Sequence, residues 1–175
     1  MKSREFIGPK GKLIHTDGSI GVDINSSKIC NDLVKLGIGY NKSYANLHIP
    51  NINSELIRHF IRGYFDGDGS FSLFIHSPKD RPNTYLKCKF SIDSKTCSIL
   101  EDIQKELSKY NIKTSIIYLK RNDMWRISTG SKVEAKKLYQ YLYKDSNFYL
   151  TRKYNKFVYY VNTEESQIIS DLRNA

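Results

Sequence analysis

Much that would place a chain of 175 residues at a glance is missing from this one. It has three cysteines, Cys30, Cys88 and Cys97, an odd count with no Cys-x-x-Cys spacing. A disulfide scaffold is thereby excluded, and reduced thiols in an intracellular compartment are expected, cytoplasmic in a bacterium or phage or inside an organelle. The four histidines, His15, His48, His59 and His76, are scattered without zinc-site spacing. No apolar run approaches a membrane span, and the N-terminus lacks a signal-peptide pattern. Gly8-Pro9-Lys10-Gly11-Lys12 lacks the spacing and the closing Lys-Ser/Thr of a phosphate-binding P-loop, and reads as a turn. Acids are scarce: 18 Asp and Glu stand against 28 Lys and Arg, for a formal charge of +10. That imbalance calls for a polyanionic partner, and nucleic acid suits it better than a membrane because no basic amphipathic helix stands out. At 39% hydrophobic, the chain can bury the core of one moderate domain or two small units.

What is present gathers around one stretch. Ser54 can cap a helix. Leu56, Ile57, Phe60, Ile61, Tyr64 and Phe65 then recur at helical spacing and form a broad apolar face. Gly63 and Gly67 lie one turn apart on it, where the missing Cβ atoms let another backbone come close. Gly67 and Gly69 end the helix, and Ser70 to Ile75 begin a strand-like alternation. Asp66 and Asp68 therefore sit at a helix C-terminus, the end of the dipole that repels carboxylates. A compensating cation is called for, and a divalent metal with hard oxygen ligands suits the position, magnesium or calcium. Taken alone, Asp-Gly-Asp-Gly is most simply a turn. An EF-hand loop is excluded, because its sixth position would be Phe71 rather than Gly and its twelfth Ser77 rather than Glu.

As a whole, Ile61-Arg62-Gly63-Tyr64-Phe65-Asp66-Gly67-Asp68-Gly69 resembles, position by position, the LAGLIDADG motif of homing endonucleases. Arg62 departs from it where a small residue is usual, and its stem is expected to snorkel outward and weaken packing on its side. The resemblance implies that two such helices pack together at a dimer interface involving Gly63, Tyr64 and Gly67. It further implies that Asp68 binds the metal and that Asp66 is a structural partner.

The remaining chain reads in order. Lys12 to Ile14 and Ser19 to Ile24 form two short strands about a turn at residues 15–18. Ser26 or Ser27 caps a helix carrying Ile29, Leu33, Val34 and Leu36, and residues 49–53 form a linker. After the motif helix come a strand at 70–76, a polar loop at 77–84 and a period-two strand at 85–93. On that strand Leu86, Cys88, Phe90 and Ile92 take one face and Lys87, Lys89, Ser91 and Asp93 the other. A helix capped by Ser94 is broken at Asn111. Strands at 114–120 and 124–128, a helix from Ser131, a helix at 152–161 and a polar tail follow. The predicted architecture is α+β: an αββαββα unit, an antiparallel sheet with helices on one face, preceded by a partial ββα unit. The expected divisions are a partial repeat at 1–52, a complete unit at 53–162 and a tail at 163–175. The element order matches the LAGLIDADG fold.

An internal repeat supports the partial unit. Ile24-Asn25-Ser26-Ser27-Lys28, between strand and helix, resembles Ile127 to Lys132 in the same setting, and Lys42 takes the place of Lys153. The chain thus resembles a two-motif endonuclease shortened at its N-terminus.

A sheet with one apolar and one lysine-rich face can lie in a major groove. The DNA-contacting candidates are Ser72, Phe74, His76, Lys87, Lys89, Ser91, Lys120, Arg121 and Arg126. Residues 113–160 hold 11 Lys or Arg against three acids. Phosphodiester hydrolysis requires a held water and charge neutralisation, for which Asp68 and the Gly67 carbonyl can hold a metal. By resemblance, Lys153 is the pocket lysine, and Ser94 is a water-ordering residue as readily as a helix cap. The expected function is a site-specific, metal-dependent double-stranded DNA endonuclease of the intron-homing type. It would use Mg2+, with Ca2+ or Mn2+ able to substitute, and act as a homodimer on a long near-palindromic site with no membrane partner. The alternative is a non-cleaving nucleic-acid-binding protein on the same fold, an intron maturase or repressor.

Overall fold

The computed structural model describes residues 4–6, 11–16, 19–38, 47–78 and 84–174. The chain divides into two units, Met1–Tyr40 and Asn41–Ala175.

In the first unit, β1 (Arg4–Phe6), β2 (Gly11–Thr16) and β3 (Ser19–Ile24) form an antiparallel sheet in that order. Leu13 lies opposite Val22 and Ile14 opposite Gly21. β1 adds a strand that three residues of sequence do not announce. α1 (Ser27–Lys35) starts at the N-cap Ser26, whose hydroxyl accepts the Ile29 N–H. It ends where Gly37 adopts φ +86°. The Ile38 N–H then reaches the Leu33 carbonyl and the Gly37 N–H the Val34 carbonyl, a six-to-one closure that needs a left-handed residue. Ile29, Leu33 and Val34 remain exposed.

The second unit carries α2 (Ser54–Asp68), β4 (Gly69–His76), β5 (Tyr85–Ser94), α3 (Cys97–Lys109), β6 (Ser115–Leu119), β7 (Met124–Thr129), α4 (Lys132–Tyr143), α5 (Thr151–Asn162) and α6 (Glu165–Arg173). The strands form an antiparallel sheet in the order β4-β5-β7-β6. Their apolar parity, Phe71, Cys88, Phe90, Ile92 and Ile127, is buried against the helices. Phe65 stacks on Phe90 at 4.7 Å, and Phe71 on Phe157 at 3.8 Å. Each fully buried phenylalanine contributes about 1.5–3 kcal/mol. Asn111, at φ +55°, ends α3 as expected, with the Ile112 N–H on the Leu107 carbonyl.

Several boundaries differ from expectation. Asn53, not Ser54, caps α2, its side chain accepting the Glu55 N–H. Asn53 and Ser54 are both capping types, and the chain turns at the earlier one. α2 runs through Gly67 to Asp68, and Gly69 follows it. A Cβ on Gly69 would run into the Phe65 ring and carbonyl, so the helix can only pass into β4 through a glycine. Ser94 does not cap α3: it ends β5, and its hydroxyl accepts the Thr96 N–H in a tight turn. The segment read as a linker is fastened to α3. The Ser98 hydroxyl donates to the Leu47 carbonyl at 2.7 Å, and Asp102 accepts the Ile49 N–H at 3.1 Å. The polar tail forms α6, docked through buried Ile168. β5 outruns its pairing with β7, and the Leu86 N–H beyond it donates to Glu165.

Candidate active site

The last turn of α2 presents its two carboxylates to opposite surroundings. Asp66 is engaged on both oxygens: Oδ1 accepts the Tyr143 hydroxyl at 2.8 Å, and Oδ2 accepts the Leu150 N–H at the start of α5, at 2.9 Å. Burial, and the bond it gives Asp66, push the Tyr143 phenol well up. From α5, Lys153 reaches back. Its Nζ donates to the Phe65 carbonyl at 2.6 Å and the Asp66 carbonyl at 2.8 Å. Lys153 is only 4% exposed. Burial lowers its pKa, Arg152 lowers it further, and Asp66 and Asp68 pull it back. Lys153 thus supplies a cation to the helix end on the Asp66 side from within the chain. Lys153 caps α2 rather than lining an open pocket.

Arg62 also departs from expectation. It is 8% exposed, and instead of snorkelling outward it donates through Nη1 to the Leu142 carbonyl at 3.2 Å, with His59 Nδ1 at 2.7 Å. α4 ends one residue later, so Arg62 serves as its C-terminal cation. Its polar end finds a partner inside, which removes the reason to turn out.

Asp68 lies on the other flank. It is exposed, and no hydrogen-bonding group among the described residues takes its carboxylate. It borders an open cavity of about 590 Å³ lined by Leu47, Tyr64, Asp93, Ser94, Lys95, Thr96 and Met124. The fold thus brings Ser94 and Asp68 to one cavity. Burial pushes the Tyr64 phenol up, with the Asp68 charge adding to it and a Ser94 hydrogen bond opposing. Lys95 ties the cavity rim to the β6–β7 turn, donating to the carbonyls of Asn122 and Asp123. Lys120 and Arg121 are exposed on that turn.

Strand register sorts the remaining candidates. Ser72 faces Lys89, Phe74 faces Lys87, His76 faces Tyr85 and Ser91 faces Ser128, all on the parity opposite the core residues. Arg126 shares that face but is not a free cation: Asp93 holds it with two bonds of 2.6 Å. Lys42 lies outside the described residues. Asp93 and Lys95 were not among the expected site residues, and Tyr64 was expected at the helix interface rather than in this cavity. Asp93 and Arg126 carry opposite charge on polar parities, a usable signal once their strands are known to pair.

Gly63 and Gly67 are exposed, and a Cβ on either would meet nothing within 4 Å. At 100° per residue, Leu56, Phe60, Gly63 and Gly67 fall within about 60° of arc, a stripe on which Leu56 and both glycines are exposed and Phe60 is half-buried. No helix among the described residues is long and apolar enough to cross a membrane, and no group of three His, Cys, Asp or Glu could hold a metal.

A model of the LAGLIDADG endonuclease family matches residues 61–163. Among solved structures, the homing endonuclease I-CvuI, in complex with a DNA target in the presence of magnesium and with the DNA not cleaved, is 21% identical. The match has a TM-score of 0.52 and covers 69% of this chain and 70% of that one. An archaeal intron-encoded homing endonuclease complexed with DNA is 23% identical at a TM-score of 0.52, over 70% of this chain and 72% of its own. The LAGLIDADG homing endonuclease I-SmaMI, bound to cleaved DNA, is 14% identical at a TM-score of 0.54, over 86% of this chain and 51% of its own. These likenesses show the α+β fold. No curated protein matches the chain.

Proposed function

Because the chain belongs to the LAGLIDADG endonuclease family, we propose that it is a site-specific DNA endonuclease of the homing type, and that Asp68 is its cleavage acid. The observation that carries this reading is the unengaged Asp68 carboxylate opening onto a cavity that Ser94 also lines. The neighbouring Asp66 carboxylate and the Phe65 and Asp66 carbonyls are all bonded within the fold.

The donors suit a hard divalent cation, with magnesium the proposed ion and calcium or manganese able to substitute. Magnesium is commonly held by one or two carboxylates together with substrate phosphate oxygens rather than by an all-protein cage. An exposed aspartate at the mouth of an open cavity, Asp68, suits such a shared site. Asp68 and the Gly67 carbonyl would hold the ion, which when bound supplies charge neutralisation on the phosphate and acidifies water. Ser94 can orient water within the cavity. Lys153 positions the α2 end, and with it Asp68.

A second copy of the chain is the proposed partner. Cleavage of two strands needs two acids, and one chain carries one motif. The outward stripe with Gly63 and Gly67 offers a close backbone approach along α2, and a two-fold axis there would bring both Asp68 residues to one duplex and favour a near-palindromic site. The sheet face with Ser72, Phe74, His76, Lys87, Lys89 and Ser91 would lie in the major groove. Lys120 and Arg121 would add salt-dependent phosphate contacts. The lone acid also supports a second reading, a DNA-binding protein without cleavage.

A magnesium-dependent cleavage selection on a randomised duplex library, with wild type and Asp68→Asn, separates the two. The endonuclease reading expects a symmetric cut site that disappears in the variant. Enrichment of bound sequence by both proteins without cutting would replace it with the binding module.

A further inference from the structure

Asp93 and Arg126 stand directly opposite each other in the β5–β7 register. Arg126 Nε donates to Oδ1 and Nη2 to Oδ2, each at 2.6 Å. Both side chains are 26% exposed. Such a pair usually has only a structural use on a surface, but three features set this one apart.

The bonds consume two of the five guanidinium N–H groups. Nη1 and the outer N–H of Nη2 remain, side by side on the edge directed away from Asp93. That edge matches two neighbouring acceptors, which in the major groove only guanine presents, as N7 and O6. Adenine offers one acceptor beside a donor, and thymine one acceptor beside a methyl. Because the fork is already fixed at two points, docking it on a base costs little further side-chain freedom.

The charge points the same way. The Asp93–Arg126 pair is net neutral, so it adds little to phosphate neutralisation, in contrast to Lys87 and Lys89 on the same face. Among the described strand residues of that face, Arg126 is the sole planar fork; apart from Asp93, the others are Ser, Lys, Tyr, His and apolar types. Finally, Asp93 also lines the cavity that Asp68 borders. With about 3.4 Å between base pairs, the fork stands within a few base pairs of the cut.

We propose that Arg126, held by Asp93, reads a guanine close to the cleavage position in each half-site. The inference rests on the DNA-endonuclease reading and adds a base identity to it. Asp93 is a positioning residue, and Arg126 determines specificity.

The test is selection of bound sequences from a randomised duplex library with the full chain as wild type, as Asp93→Asn, and as the double variant Asp93→Asn with Arg126→Gln. The double variant leaves no unpaired charge where the pair was. Wild type is expected to prefer guanine at one symmetric pair of positions, by roughly five- to a hundredfold over other bases. The double variant should lose that preference there alone, with the dependence of log Kd on log salt unchanged. Asp93→Asn should weaken the same preference severalfold, and Lys120→Gln should lower the salt slope without changing base preference. The inference is overturned if the double variant reproduces the wild-type site, or if it weakens all sequences alike with a reduced salt slope. If wild type enriches no sequence at all, the DNA reading fails and the inference falls with it.

Discussion

On one flank of the α2 terminus, Asp66 takes the Tyr143 hydroxyl and the Leu150 N–H while Lys153 takes the carbonyls of Phe65 and Asp66. On the other flank, Asp68 opens onto a cavity with no such partner. The two aspartates are two residues apart, about 200° around the helix, so identical side chains meet a packed interior and an open surface. A helix end concentrates negative potential whichever way its side chains turn. The first flank meets that potential with a lysine and the N-terminus of α5, and this stabilises the helix end. The second leaves it unmet, and an unmet carboxylate in a negative potential is poised to take a cation from solution.

The largest loss of stability should follow removal of the internal cation. Lys153→Met keeps the stem and deletes both bonds to α2, and we expect a loss of about 2–4 kcal/mol in urea denaturation, since hydrogen bonds to charged groups are each worth about 1.5–3 kcal/mol. A loss under about 0.5 kcal/mol would mean that Lys153 is not what holds the helix end. Asp66→Asn should cost less, about 1.5–3 kcal/mol, because the amide oxygen still accepts the Leu150 N–H and the Tyr143 hydroxyl can turn to accept from the amide, so both bonds survive without their charge. The smallest effect on folding is expected at the open stripe. A Cβ at Gly63 meets nothing within 4 Å among the described residues, so with Gly63→Ala the monomer should gain about 0.5–1 kcal/mol from replacing a mid-helix glycine. The same variant should weaken self-association in sedimentation velocity, and unchanged association would remove α2 from the dimer.

Much of this fold was legible in the sequence where periodicity is strong. The α2 apolar face and the alternation of residues 85–93 carry enough repeated signal to fix element type. Caps were less legible, because Asn53 and Ser54 are adjacent, Ser94 and Thr96 are two apart, and all four are capping types between which tertiary packing chooses. At the site, the motif located Asp66 and Asp68 on the last turn of α2. The engagement of Arg62 with Leu142 and of Lys153 with Phe65 spans 80 and 88 residues. No local pattern encodes such pairs, which depend on how the helices end against one another. The Asp93–Arg126 fork likewise appears only when the register of β5 against β7 is known.

The most direct measurement is the single-turnover cleavage rate of a selected duplex in magnesium by Asp68→Asn and Asp66→Asn, at a temperature where both unfold less than wild type does at its midpoint. Asp68→Asn should lose at least about a thousandfold in rate while unfolding like wild type, as expected for removal of several kcal/mol of transition-state stabilisation. Asp66→Asn should cut within about tenfold of wild type despite its lower stability. The reverse pattern, an active Asp68→Asn and a folded but inactive Asp66→Asn, would contradict the division of labour between the two flanks.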